Sequence, residues 1–128
     1  MLITIYRKNI GMTQEEKQLL LKDLSARLPY GVMMKVSHLS HPIGLDEFVL
    51  FTIKTGKEEG IPYLRPLSSM TEEERKEYFL TWKDEPLLRQ VKIPVTETDD
   101  WLEAHHFDYR GLIEKGLALE APEGMYNV

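Results

Sequence analysis

Glu47-Phe48-Val49-Leu50-Phe51-Thr52-Ile53-Lys54 is the stretch whose reading decides the fold. It combines β-branched and aromatic residues with no breaker, a composition suited to a pleated, half-buried surface, and so predicts the strongest strand in the chain. Both faces of that strand would carry apolar side chains, which places it in the middle of a sheet rather than at an edge.

Working outward, Val32, Met34 and Val36 alternate with Met33, Lys35 and Ser37, the period of a second, half-buried strand. His38-Leu39-Ser40-His41-Pro42-Ile43-Gly44 reads as the loop between the two. Beyond Lys54, Lys57-Glu58-Glu59-Gly60 turns at the surface. Ile61-Pro62-Tyr63-Leu64-Arg65-Pro66-Leu67 then reads as an edge strand or a polyproline-like stretch, because its two prolines push Ile61 and Arg65 to extended geometry and remove ladder donors. Leu2 to Tyr6 reads as a further edge strand, and Leu88 to Ile93 as a short helix or a strand, of which the strand is taken.

Helix signals frame these runs. Thr13 and Glu16 have the spacing of a capping box, so a helix is predicted from Gln14 to Leu28, with Leu20, Leu21, Leu24 and Leu28 facing the core and Glu15, Lys22 and Asp23 on other faces. Pro29 stops it. A second start at Ser69-Met70-Thr71-Glu72-Glu73-Glu74 predicts a helix to about Trp82, whose Arg75, Tyr78, Phe79 and Trp82 form a stripe docked on the sheet. Thr96 or Thr98 is read as the cap of a third helix ending near His106. Asp108 caps a last one from Tyr109 to Lys115, which Gly116 terminates in the left-handed conformation.

These elements predict one α+β domain over residues 1–128, with a small, largely antiparallel sheet built from the runs at Leu2, Val32, Glu47 and Ile61. An N-terminal helix and C-terminal helices cover the sheet, and barrel-like closure is the alternative. From about residue 120 the tail, with Pro122 and Gly124, offers few contacts and is expected to be loosely held.

At 128 residues the chain is long enough for one core, and 42% hydrophobic with 29% charged residues is an ordinary globular balance. No apolar run approaches the roughly 18 residues that suggest a membrane span. Arg7-Lys8 follows Met1 to Tyr6, the reverse of a signal peptide's charge order, so a cytoplasmic location is expected. Zero cysteines exclude disulfide frameworks, thiolate nucleophiles and cysteine metal sites. From Glu97 onward, Glu97, Asp99, Asp100, Glu103, Asp108, Glu114, Glu120 and Glu123 face only Arg110 and Lys115; the net −6 there leaves no basic face of the kind nucleic acids need.

One segment looks like a site: Trp101-Leu102-Glu103-Ala104-His105-His106-Phe107-Asp108-Tyr109-Arg110-Gly111. Adjacent histidines on a helix diverge by about 100°, which argues against one shared metal ion. The segment reads better as a helix end whose Trp101, His105, His106, Tyr109 and Arg110 offer a partner-binding surface. The alternative is a metal site drawn from His38, His41, His105, His106 and Asp108, with Asp46 and Glu47 near the loop histidines. Arg65 and Arg110 could clamp an anion, although such arginines more commonly pair with carboxylates. Ser68-Ser69 lacks the glycines and partner histidine of a nucleophile motif, and Glu72-Glu73-Glu74 reads as a solvated first turn. No cofactor is expected.

Three blocks stand out: Lys22-Asp23-Leu24-Ser25-Ala26-Arg27-Leu28-Pro29-Tyr30-Gly31-Val32, Pro62-Tyr63-Leu64-Arg65-Pro66-Leu67-Ser68-Ser69-Met70-Thr71 and His105-His106-Phe107-Asp108-Tyr109-Arg110-Gly111-Leu112-Ile113. Together they resemble a family of small, uncharacterised bacterial proteins from gut anaerobes, many associated with prophages or mobile elements. The resemblance implies one small domain and no established activity, and it transfers no catalytic residue. No block falls between Val36 and Ile61. The functional expectation is a non-enzymatic accessory or interaction protein binding another protein, with a small metal-dependent hydrolase as the alternative.

Overall fold

The computed structural model describes residues 12–81 and 99–126. The strands expected at Leu2 to Tyr6 and Leu88 to Ile93 lie outside those residues, as do Trp82, Thr96, Thr98 and the side chain of Phe79.

Helix α1 is Gln14–Arg27 and opens as its sequence requires: Thr13 Oγ1 accepts from the Glu16 amide and Glu16 Oε1 from the Thr13 amide, each at 3.0 Å. Pro29 lies in a 3-10 turn, Leu28–Tyr30, closed by Gly31 at φ 72°, a left-handed conformation that glycine adopts without a Cβ clash. The chain then enters strand β1, Met33–Val36, where Val32, Met34 and Val36 point into the core and Lys35 to solvent, in the predicted alternation. β2, Ile43–Gly44, pairs antiparallel with β1.

Glu47–Lys54 is helix α2 and not the central strand its composition suggests. Two local features overrule β propensity. Asp46, itself extended, caps the helix by accepting from the Val49 amide at 2.8 Å. Val49 and Ile53, one turn apart, are buried together, and Leu50 beside them is half-buried. A strand would send Val49 and Leu50 to opposite faces; the helix gathers both toward the core and leaves Phe48 and Phe51 outside.

The middle of the sheet is instead β3, Gly60–Pro66. It pairs antiparallel with β1 over Gly60 to Pro62 and parallel with two later strands: β4, Phe107–Asp108, opposite Arg65 and Pro66, and β5, Leu119–Glu120, opposite Tyr63 and Leu64. Each partner covers two or three residues, so the missing N–H groups of Pro62 and Pro66 interrupt no long ladder, and the edge assignment is overturned. The α+β class stands. The sheet is mixed rather than largely antiparallel, and open, because β4 and β5 return to β3 after helical connections that permit parallel approach. Gly60 starts β3 where space is least: a Cβ there would lie 2.8 Å from Ile53 Cδ1 of α2.

A 3-10 turn, Leu67–Ser69, leads into α3, Glu72–Thr81, with the capping box formed by Thr71 and Glu74. Of the predicted α3 stripe, Arg75 is exposed and Tyr78 docks on Trp101, ring centres 5.1 Å apart; the Phe79 side chain and Trp82 lie outside the described residues. α4 is Asp100–Ala104, capped by Asp99, one residue beyond the predicted threonines. α5, Leu112–Lys115, starts later than predicted, and its N-cap is Gly111 in place of Asp108; Asp108 lies back in β4 and accepts from the amides of Leu112 and Ile113, both at 2.9 Å, while Gly116 ends the helix at φ 78°. The segment after Gly116 makes contacts its composition does not announce, since Tyr126 Oη accepts from the Met33 amide at 2.8 Å and donates to Tyr63 O at 2.7 Å. Among the described residues no helix is long and apolar enough to cross a membrane.

Candidate functional site

α1 presents Leu20, Asp23, Leu24 and Arg27 on one buried stripe, spaced i, i+3, i+4 and i+7. Asp23 and Arg27 are therefore core residues, and Asp23 belongs to the core stripe from which the sequence pattern excluded it. Arg27 Nε donates to Asp23 Oδ2 at 2.7 Å, and its Nη2 donates to the Phe107 carbonyl at 2.7 Å. Arg110 Nη1 donates to Asp23 Oδ1 at 2.5 Å, and its Nη2 lies 3.7 Å from Glu103 Oε2. These four charged side chains are at most 2% exposed and carry two positive and two negative charges, so the set is neutral as a whole.

Tyr109 extends the network outward. Its hydroxyl donates to Glu103 and accepts from the Asp99 amide, while Asp99 accepts from Tyr78 Oη at 3.0 Å. Burial, reinforced by the Glu103 carboxylate, raises the Tyr109 hydroxyl above the ordinary phenol range. A second charged unit lies alongside: Arg65 binds Glu74 through both nitrogens at 2.7 and 2.9 Å and covers the Phe107 ring at 4.0 Å. The Arg65 hydrogen bond holds the Glu74 carboxyl down at about 2 against the opposing effect of burial. Both arginines suspected of clamping an anion are thus committed to carboxylates. Glu74 is part of this pair, whereas Glu72 and Glu73 are exposed, as expected of a solvated turn.

The adjacent histidines diverge. His105 stacks on Trp101 at 3.9 Å with Nδ1 2.9 Å from the Trp101 carbonyl, and Trp101 Nε1 donates to Glu77 at 2.8 Å. His106 follows the C-cap of α4 at φ 67°, where glycine is usual, and its amide donates to Glu103 O. Its ring stacks on Tyr126 at 3.9 Å. Burial, then the charges of Arg27, Arg65 and His105, lowers His106 to about 4, so the ring is neutral at pH 7. His106 Nδ1 and Arg27 Nη1 are buried without a hydrogen-bond partner among the described residues. A pocket of about 300 Å³ opens beside the stack, with Met33, Arg65, Glu74, His105, His106 and Tyr126 in its wall.

His38 is exposed and pairs with Glu58 at 2.7 Å; His41 is also exposed. Asp46 caps α2, and Asp108 accepts from the first two amides of α5. Among the described residues no group of three or more histidine and carboxylate side chains could hold a metal ion. Of the predicted partner-binding set, Trp101, His105 and His106 remain half-exposed, whereas Arg110 is only 2% exposed and the Tyr109 hydroxyl turns inward.

The feature that sequence reasoning missed lies on α2. Phe48 and Phe51 are 74% and 56% exposed, on the side away from Val49 and Ile53, and Glu47 and Lys54 are exposed with them. The signal was present as Asp46 before an i, i+4 apolar pair, a helix start that the β-rich composition masked.

No family model, no curated protein and no solved structure matches this chain.

Proposed function

We propose that the chain is a non-enzymatic accessory or interaction protein, encoded, like many of the bacterial proteins its three sequence blocks resemble, on a prophage or mobile element. One observation carries the reading: two adjacent-turn phenylalanines on the outer face of α2 stand in solvent, although a soluble chain gains nothing in its own folding from such a pair. The supporting observation is chemical. The residues that look most reactive, Arg65, Glu103, Tyr109 and Arg110, are engaged with one another or with neighbouring carboxylates.

The test compares the full chain with the Phe48→Ser/Phe51→Ser variant in affinity capture from the source cells, with thermal melting of both. A protein retained by the wild type and lost from an equally stable variant is the expected result. Identical captures from the two would refute the assignment.

A further inference from the structure

We infer that the occupant of the exposed α2 face is a second copy of this chain, its α2 lying antiparallel to the first. The inference rests on the interaction reading above and names its partner. Glu47 opens α2 and Lys54 closes it, both exposed. At 100° per residue the seven-residue separation returns Lys54 to within about 20° of Glu47, so the two charges lie on one line at opposite ends of the helix. Phe51 follows Glu47 by one turn, and Phe48 lies beside it. When a second α2 is laid against the first around a two-fold axis near Phe51, each Glu47 meets Lys54 of the second copy, and the phenylalanines fill the space between.

The arrangement is self-complementary, as a two-fold contact must be. A parallel pairing would set like charges together at both ends. Glu47 and Lys54 cancel each other's charge, so this pair adds no net repulsion between copies of a chain of net charge −5. Two partly exposed phenylalanines supply on the order of 300 Å² per copy, below the roughly 800 Å² per partner of a stable complex. The dimer is accordingly weak, with Kd on the order of 10–100 μM.

Sedimentation velocity of the full chain over a hundredfold concentration range, reaching several hundred micromolar, reads the inference directly. The wild type should shift from 15.0 kDa toward twice that mass. Phe51→Asp should hold it monomeric, and Glu47→Lys should weaken association about tenfold by placing like charges at both ends. Glu47→Lys/Lys54→Glu should restore it, although both changes oppose the helix dipole, so helix weakening cannot imitate the pattern.

A wild type that stays monomeric throughout overturns the inference. So does a dimer that the double charge reversal fails to restore. If the wild type is monomeric but loses a captured host protein on Phe51→Asp, the interaction reading survives with a different partner. If Phe51→Asp instead lowers stability by several degrees without affecting association, the face is covered within one chain and both readings fall.

Discussion

Replacing Asp23 by Asn removes one charge from the centre of the buried cluster while keeping its shape. Asp23 accepts from Arg27 at 2.7 Å and from Arg110 at 2.5 Å, and every charged side chain in the set is at most 2% exposed. With Asn in place, both guanidinium groups lose their shared carboxylate, and Glu103 Oε2 lies 3.7 Å from Arg110 Nη2. The cluster is then one negative charge short, and the amide NH₂ meets a donor where a carboxylate oxygen stood. Breaking a buried pair in this way costs about 3–5 kcal/mol. At roughly 4 °C per kcal/mol for a chain of this length, the melting temperature should fall by about 12–20 °C.

Urea and thermal unfolding followed by circular dichroism measure both quantities. The double variant Asp23→Asn/Arg110→Gln should lose at least about 1.5 kcal/mol less than the sum of the single changes, because the second removes the charge the first strands. A single-variant loss under about 1 kcal/mol, the range of exposed ion pairs, would falsify the claim that the cluster is dry. So would strict additivity.

Other expectations follow from neighbouring contacts. Asp108→Ala removes the acceptor for the Leu112 and Ile113 amides and should cost about 1–2 kcal/mol, read by denaturant titration; an unchanged midpoint would contradict that role. Tyr126→Phe keeps the ring against His106 but strands the Met33 amide and the Tyr63 carbonyl, so it should cost about 1–3 kcal/mol and raise hydrogen exchange at Met33, whereas retained protection would count against the tether. On acidification, His106 is lowered from 6.5 to about 4 in the folded chain, so protonation favours unfolding and stability is lost as pH falls through that window. Glu74, held at about 2 against an ordinary 4.5, contributes above pH 4.5, and that contribution disappears toward pH 2. The His106 step should be about 1–2 kcal/mol after solvent screening at its open edge; a His106→Gln chain that keeps the full decline between pH 6.5 and 4 would assign it elsewhere.

Local signals were legible wherever donor and acceptor lie within one turn. Thr13 with Glu16 and Thr71 with Glu74 act as the sequence indicates, and the alternation at Val32 to Val36 yields β1. At Glu47–Lys54 a window rich in Val, Phe, Thr and Ile supports either period, and the choice came from Asp46 and from where Val49 and Ile53 could be buried. The interaction face went unread for the same reason: Phe48 and Phe51 look like core residues until the backbone is known to be helical.

The buried cluster lies at the other extreme. Within α1, Asp23 and Arg27 form an ordinary i, i+4 pair that in most helices faces water. What takes them inside is Arg110, 87 residues along the chain, together with the Phe107 carbonyl, 80 residues from Arg27. Sequence alone therefore determined the starts of α1 and α3, the stop of α1, the β1 pattern, the α+β class and the absence of cysteine chemistry, because each depends on residues a few positions apart or on composition. Tertiary structure decided that α2 is a helix, that β3 and not an aromatic strand anchors the sheet, and that Asp23 is buried. Those outcomes depend on which distant groups remove a segment from water, a free energy that no local window contains.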